Sequence, residues 1–439
     1  MQEIDLKVIH NIHFIGIGGI GISAIARMMM YEGKKVSGQD MQDGEILEEL
    51  KKAGAKITIG QSLENIPKKT DLIVYTIAIE KYDTELFQIL KEQTDVPFLS
   101  YPEMLNVVTK GKYTIAVSGT HGKTTTVGMI AQVLTDSGND PTVVIGSILA
   151  NENSNFIAGR SQYFVVEACE YRRSFLNINP NILVITNVDA DHLDYYKDIE
   201  DIKSAFRELA LKVPKDGYVI CNPTDPHMID VVAGIEAKVI DYERFFNENL
   251  EIKLPGIHNK KNASCAIAVA DCLKIDEQKA IESLAEFNGT SRRFEYKGEL
   301  ASGAKIYDDY AHHPTEILAS LQGFRELYPK SDDWNITVVF QPHLFSRTKA
   351  LLDDFAKSFI DTDSVLLLPI YYAREVDDGS INSEILRDAI IENNVHAQSF
   401  IDFKEIANYI IGKNFGEKDI LITMGAGEAF VVGNMLLNK

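Results

Sequence analysis

One run of this chain dictates a strand, a turn and a helix in succession. The apolar stretch 114–118 (TIAVS) leads into Gly119-Thr120-His121-Gly122-Lys123-Thr124-Thr125, and an apolar-periodic segment, TTTVGMIAQVLTDSG, follows. A glycine-bracketed turn in that setting exposes backbone N–H groups and a helix N-terminus to an anion, the geometry of a phosphate cradle in an α/β layer. Val117 stands where the usual GxxxxGK[ST] pattern has its first glycine, so the generic motif is not strictly met. The physics survives: the loop amides and helix dipole hold phosphates, Lys123 neutralises β/γ charge, and a Thr124 or Thr125 hydroxyl is available to Mg²⁺. ATP is the expected ligand.

The rest of the chain repeats this α/β alternation. With 439 residues it is too long for one ordinary core. A first series reads IHFIGIGG, IGISAIARMMMYEG, KKVSGQD and DLIVYT. A second opens at YTIAVSGT and continues through YFVVEA, NILVITNV and GYVICN. After the polar stretch NGTSRRFEYKG, a third shows strands at AKIYDDY, NITVVFQP, SVLLLPI and DILITMG. Boundaries are expected near Lys110 and Asn288, with no short-period repeat and no low-complexity segment. A net charge of −20 repels phosphate backbones and anionic bilayers, so neither nucleic acid nor a membrane surface is an expected partner. Anionic ligands must then be held by local groups. Cys169, Cys221, Cys265 and Cys272 form no CxxC pair and no zinc-type cluster, which reads as reduced thiols. The N-terminus MQEIDLKVIH lacks a signal-peptide pattern and no apolar run is long enough to span a bilayer, so a cytoplasmic location is expected.

Gly16, Gly18, Gly19 and Gly21 mark a second strand-to-helix turn, with Asp40 at the end of the next strand. This turn is readable as a diphosphate site with Asp40 on a ribose or uracil, as an NAD site, or as tight strand–helix packing alone. In the middle series, Glu167 closes YFVVE and His192 follows NILVITN in TNVDADH, so both project from carboxyl ends of neighbouring parallel strands. They are candidate magnesium ligands, with Asn187 and Asp191 as nearby alternatives; the plain alternative is a solvated glutamate and a helix-capping histidine. Glu170, Arg172 and Arg173 read as a solvated turn.

In order, the motifs GIGGIGIS, SGTHGKTTT, TNVDADH, PGIHNKKN, RRFE, DDYAHHPTE and FQPHLFSRT resemble the Mur ligases of peptidoglycan synthesis over nearly the whole chain. The resemblance implies an α/β protein of three domains. These are a Rossmann-like N-terminal domain for the UDP-sugar (1–110), a central P-loop ATPase-like domain for ATP (111–288) and a C-terminal Rossmann-like lid presenting the amino acid (289–439). It implies ATP and Mg²⁺ as cofactors, UDP-N-acetylmuramate and L-alanine as substrates, and a monomer or weak homodimer. Gly16, Gly18, Gly19, Gly21, Ser23 and Asp40 would face the UDP-sugar. Gly119 to Thr125, His258, Asn259 and Asn262 would contact ATP, with Arg293 on its phosphates and Asp309 on its ribose. Thr124, Glu167 and His192 would hold metal; Tyr310, His312 and Arg347 match the amino-acid pocket, and Lys123, Glu167, His192 and His312 would be catalytic. Two departures stand out. Many members read EADESD where this chain has Glu167-Ala-Cys-Glu170-Tyr-Arg-Arg, and many place arginine after the histidine of FQPH, where Leu344 stands here.

The chemistry implied is conversion of a carboxylate into an acyl phosphate by ATP, followed by attack of an amine. Lys123→Ala should then abolish turnover without unfolding the chain. An oxidoreductase would leave GTHGKTTT, TNVDADH and DDYAHHP without work; a nucleotide-gated binding protein would bind ATP and form no amide. A sister ligase that recycles a peptide onto the same sugar acid is disfavoured by FQPH followed by FSRT.

Overall fold

The computed structural model describes residues 4–93, 96–372, 375–413 and 415–437. Among them eighteen strands form three sheets. The first comprises β1 (Asn11–Ile15), β2 (Lys35–Asp40), β3 (Lys56–Ile59), β4 (Leu72–Tyr75) and β5 (Phe98–Ser100) in the order β3-β2-β1-β4-β5, all parallel. The second comprises β6 (Tyr113–Ser118), β7 (Thr142–Leu149), β8 (Ser154–Ile157), β9 (Tyr163–Glu167), β10 (Ile182–Ile185), β11 (Tyr218–Cys221) and β12 (Lys238–Asp241), ordered β12-β11-β10-β6-β9-β7-β8. The third comprises β13 (Glu295–Glu299), β14 (Lys305–Asp309), β15 (Asn335–Phe340), β16 (Ser364–Leu367), β17 (His396–Ser399) and β18 (Asp419–Met424), ordered β13-β14-β18-β15-β16-β17.

Central strands such as LIVY of β4 and ILVI of β10 are buried along their whole length. Such uninterrupted apolar runs suit parallel strands covered on both faces, and helices supply the cover. The two antiparallel edges differ from expectation. β8 pairs with β7, and EYKGE (Glu295–Glu299), which begins inside the polar stretch before the third series, forms β13 against β14 with an irregularity between Tyr296 and Gly298.

Two compact units result, Met1–Phe246 with Asn262–Leu284, and Asn247–Lys261 with Ala285–Lys439. The first contains both sheets flanking Lys110; the second takes in Asn247–Lys261, from within the expected central domain, and resumes at Ala285. In the first unit one core runs from Phe14, Ile25 and Met29 to Val144, Phe164 and Leu183. In the second, Ile336, Val338, Ile420 and Ile422 pack with Phe324 and Phe355. In both nucleotide-type sheets the order reverses beside one strand, β1 in the first and β6 in the second, which opens a crevice at the strand's carboxyl end. No helix among the described residues is long and apolar enough to cross a membrane.

Candidate functional site

The phosphate loop follows β6 at that crevice. Gly119 has φ +131°, and a Cβ there would lie 2.0 Å from Thr186 Oγ1. Gly122 is left-handed at φ +81° and caps the helix Lys123–Asp136; its Cβ would meet Asn262 Oδ1 at 2.5 Å. Only glycine satisfies both backbone and space at these positions. The loop is sewn to the end of β10. Thr120 N donates to Asn187 O at 3.1 Å, His121 N to Asn187 Oδ1 at 2.9 Å, and Asn187 Nδ2 to His121 O at 3.1 Å. Thr186 Oγ1 donates to His121 O at 2.6 Å and Asp189 N to Thr120 Oγ1 at 2.8 Å. Asn187, an alternative ligand by sequence, is thereby a splint for the loop.

Lys123 opens the helix and curls back over the loop, donating to Gly119 O at 2.6 Å and Thr120 O at 2.9 Å. Its third partner is Glu170, at 3.0 Å from Oε1 and 2.9 Å from Oε2. Glu170 is 2% exposed, so the expectation of a solvated turn is overturned. Burial alone would discharge both groups, but each supplies the other's counter-charge. Desolvation lowers Lys123, yet the Glu170 carboxylate and then Cys169 and Glu167 leave it above its usual value; desolvation raises Glu170, yet Lys123 and His192 leave it below the usual carboxylate range. Spacing hid this pair because Arg172 and Arg173 adopt left-handed backbone, φ +53° and +56°, and turn the segment back on itself. Arg172 reaches Glu80 at 2.9 Å, and Arg173 reaches Asp201 at 2.8 Å and Glu208 at 2.9 Å.

Two hard oxygens lie beside the lysine. Thr124 Oγ1 donates to Glu167 Oε2 at 2.9 Å, and the same oxygen accepts Gly146 N at 2.9 Å. His192, itself left-handed at φ +54°, points Nε2 at Glu170 Oε1 across 3.6 Å and packs its ring 4.8 Å from that of Tyr171. It does not cap the following helix, Ile199–Ala210, whose N-cap is Asp198. Asp191 Oδ1 accepts the His192 amide at 2.7 Å. Lys123, Thr124, Glu167, Glu170 and His192 thus gather around one loop. Of the three on the helix Ile257–Cys272, Asn262 lies against Gly122, whereas His258 and Asn259 belong to the second unit.

The first glycine turn is more self-contained. Gly16 N and Ile17 N donate to Gln39 O at 2.8 and 3.2 Å, Gly18 N to Asp40 Oδ2 at 2.8 Å, and Gly19 N to Gly16 O at 3.1 Å. Gly21 approaches Tyr101, where a Cβ would meet the ring at 2.7 Å. Ser23 is fully buried; its hydroxyl donates to Ile20 O at 2.9 Å and accepts Asn155 Nδ2 at 2.8 Å. Its placement is therefore interior.

In the second unit, Asp309 closes β14 and is 4% exposed, accepting Phe294 N at 2.9 Å and Ala311 N at 2.8 Å. Burial raises its carboxyl, with Arg293 opposing. The twin arginines part company: Arg292 donates to Asp308 at 2.8 Å and to Gly425 O at 2.7 Å, while Arg293 stacks 5.0 Å from the Tyr310 ring and faces Glu316 at 3.7 Å. Tyr310 and His312 are 5.2 Å apart by ring centroid, and His343, beyond β15, lies 6.2 Å from His312. From there the chain turns at Leu344, φ +72°, into the short helix Phe345–Ala350 that carries Arg347. His258 is pushed down to about 4 by burial and then by Arg293, and Asn259 Nδ2 donates to Pro255 O at 2.8 Å.

Comparison with known proteins places the chain in a family. Residues 11–113 match the family model of the Mur ligase family catalytic domain, 117–247 that of the Mur ligase middle domain and 292–427 that of the Mur ligase glutamate ligase domain. The chain is 42% identical over 467 residues to UDP-N-acetylmuramate–L-alanine ligase of Clostridium acetobutylicum, covering 100% of both chains. It is 40% identical to the Caldanaerobacter subterraneus protein of the same name, covering 100% of this chain and 99% of that one. The solved UDP-N-acetylmuramate-alanine ligase of Thermotoga maritima superposes with TM-score 0.80 at 26% identity, covering 98% of each chain. A murein peptide ligase of Psychrobacter arcticus shares the fold with TM-score 0.74 at 24% identity, again covering 98% of each. With all three sheets matched in order and relatives of this identity aligned end to end, the chain belongs to the Mur ligase family.

Proposed function

We infer that this chain joins L-alanine to the lactyl carboxylate of UDP-N-acetylmuramate at the expense of ATP, as a step in peptidoglycan precursor synthesis. The observation that carries the reading is the buried lysine–carboxylate pocket on the phosphate loop, in a chain whose full-length relatives bear that ligase's name. On this reading residues 1–110 hold the UDP-sugar, 111–288 ATP and 289–439 the amino acid.

A carboxylate does not condense with an amine at neutral pH, so ATP must first make it an acyl phosphate. Lys123 offsets charge on the transferring phosphoryl group, and the helix N-terminus that it opens orients it. Thr124 Oγ1 and Glu167 Oε2 lie 2.9 Å apart. Both are hard oxygen donors of the type Mg²⁺ takes, so the pair fits Mg²⁺. His192 beside Glu170 is a second donor set. Bound there, magnesium would neutralise phosphate oxygens; Glu170 keeps Lys123 over the loop, and Gly146 N fixes the Glu167 carboxylate. Arg347 takes the alanine carboxylate through its planar fork, and His312 meets the amine. Asp309 has backbone amides on both oxygens, so a ribose contact uses their remaining lone pairs.

The test is product mass. The full chain with ATP, Mg²⁺ and UDP-N-acetylmuramate is given L-alanine and the L-Ala-γ-D-Glu-diaminopimelate tripeptide in equal amounts. The alanyl product is expected, whereas exclusive formation of the tripeptide product would move the chain to the recycling ligases.

A further inference from the structure

The loop after β14 places an imidazole nitrogen against two oxygens that only accept. His312 Nδ1 lies 3.0 Å from the Tyr310 carbonyl oxygen and 3.2 Å from Glu316 Oε2. Neither a carbonyl nor an ionised carboxylate can donate, so in the neutral ring the proton resides on Nδ1 and Nε2 keeps its lone pair. The same carboxylate oxygen accepts the His312 amide at 3.1 Å, fixing the backbone as well as the ring. Its other oxygen faces the Arg293 guanidinium at 3.7 Å, and the Glu316 side chain is only 10% exposed.

We propose that Glu316 is the positioning residue of the amine-transfer step, holding His312 in the tautomer whose Nε2 receives the proton of the incoming amine. The proposal rests on the ligase reading. The ammonium of alanine gives one proton to Nε2, and the imidazolium so formed is stabilised by Glu316. The freed nitrogen pair forms the C–N bond at the acyl carbon; the C–O bond to phosphate breaks with its electrons on the phosphate oxygen, and the second amine proton leaves on hydrogen phosphate. Among the groups facing His312 are Glu316 with Arg293 behind it, Tyr310 on its own loop, and His343 from the end of β15.

A plainer role exists. Glu316 is in the first turn of the helix Pro314–Leu327, where an acidic side chain favours the helix start. Kinetics of folded Glu316→Gln separate the two, since loss of a helix-start charge alone lowers stability and leaves turnover and its pH profile unchanged. Steady-state kinetics normalised to folded protein should show kcat lowered roughly 10- to 100-fold with the KM for UDP-N-acetylmuramate within about twofold. Loss of the neighbouring carboxylate should also move the acid limb of kcat/KM for alanine about one pH unit lower. In a His312→Asn background the same change should add little, because the two residues act as one. Unchanged kinetics and pH profile in Glu316→Gln, or full additivity with His312→Asn, overturns the proposal. Absence of phosphate release by the unaltered chain with any acceptor would instead sink the ligase reading itself.

Discussion

The two glycine turns of the first compact unit, 16–21 and 119–125, each join a buried parallel strand to a helix, yet they are built for different work. In the first, the Gly16, Ile17, Gly18 and Gly19 amides are already committed to Gln39, Asp40 and Gly16. In the second, the loop is splinted from outside by Thr186, Asn187 and Asp189, and a lysine balanced by a buried glutamate lies over it. The glycines set the backbone in both. What distinguishes the second turn is its lysine, carried by its own helix and balanced by Glu170 from beyond the end of β9.

The largest effect expected from breaking that difference is at Lys123. Lys123→Ala should lower kcat/KM by at least ~10³ in a phosphate-release assay. Contrary to the sequence expectation, it should also destabilise the chain by about 3 kcal/mol, because Glu170 is left buried without its counter-charge. Lys123→Ala combined with Glu170→Gln should regain most of the urea midpoint and none of the activity. A single variant as stable as the parent would show that the pair does not matter to the fold.

Acid should separate the turns next. His13, in the strand feeding the first turn, is 1% exposed and is pushed down to about 4 by burial. The unfolded chain takes up that proton from pH ~6.5 downward, so the first sheet loses up to about 3 kcal/mol between pH 6.5 and 4. The Glu170 carboxyl is depressed, so its contribution is complete above the ordinary carboxylate range and is lost only as pH falls through its lower native value. Protection factors in β1 should therefore fall before those in β6, and His13→Leu should remove the lag; simultaneous loss in both strands would contradict the assignment.

A smaller contrast tests the glycines. Gly122→Ala combines φ +81° with a 2.5 Å approach to Asn262 and should cost about 1–3 kcal/mol. Gly19, at φ −63°, is unstrained for alanine and would bring a Cβ 3.2 Å from Ile22 Cγ2, to which that side chain must yield by a few tenths of an ångström, so the cost should stay within about 1 kcal/mol. Equal thermal shifts would mean that the loops are not distinguished by their backbones.

The phosphate loop and the α/β succession were legible because strand, turn and helix are local patterns. Glu167 was legible for the same reason, as a polar stop on an apolar strand. Glu170 was not: its burial depends on two consecutive left-handed arginines, whose geometry no local preference announces. The resemblance implied a UDP-sugar contact at Ser23, and no local pattern showed that Asn155, more than a hundred residues away, donates to its buried hydroxyl. Strand order arises from pairing across the chain and leaves no periodic trace, whereas the antiparallel edges β8 and β13 are short local hairpins with β7 and β14 whose polar sequences mask them.

The most direct test of the account follows oxygen. UDP-N-acetylmuramate labelled with ¹⁸O in its lactyl carboxylate is turned over by the full chain with ATP, Mg²⁺ and L-alanine, and the released phosphate is weighed. Transfer of one labelled oxygen per phosphate is the predicted result, since the acyl phosphate bridges through a carboxylate oxygen. Unlabelled phosphate accompanying amide formation would contradict phosphoryl transfer to that carboxylate and, with it, the role assigned to the loop.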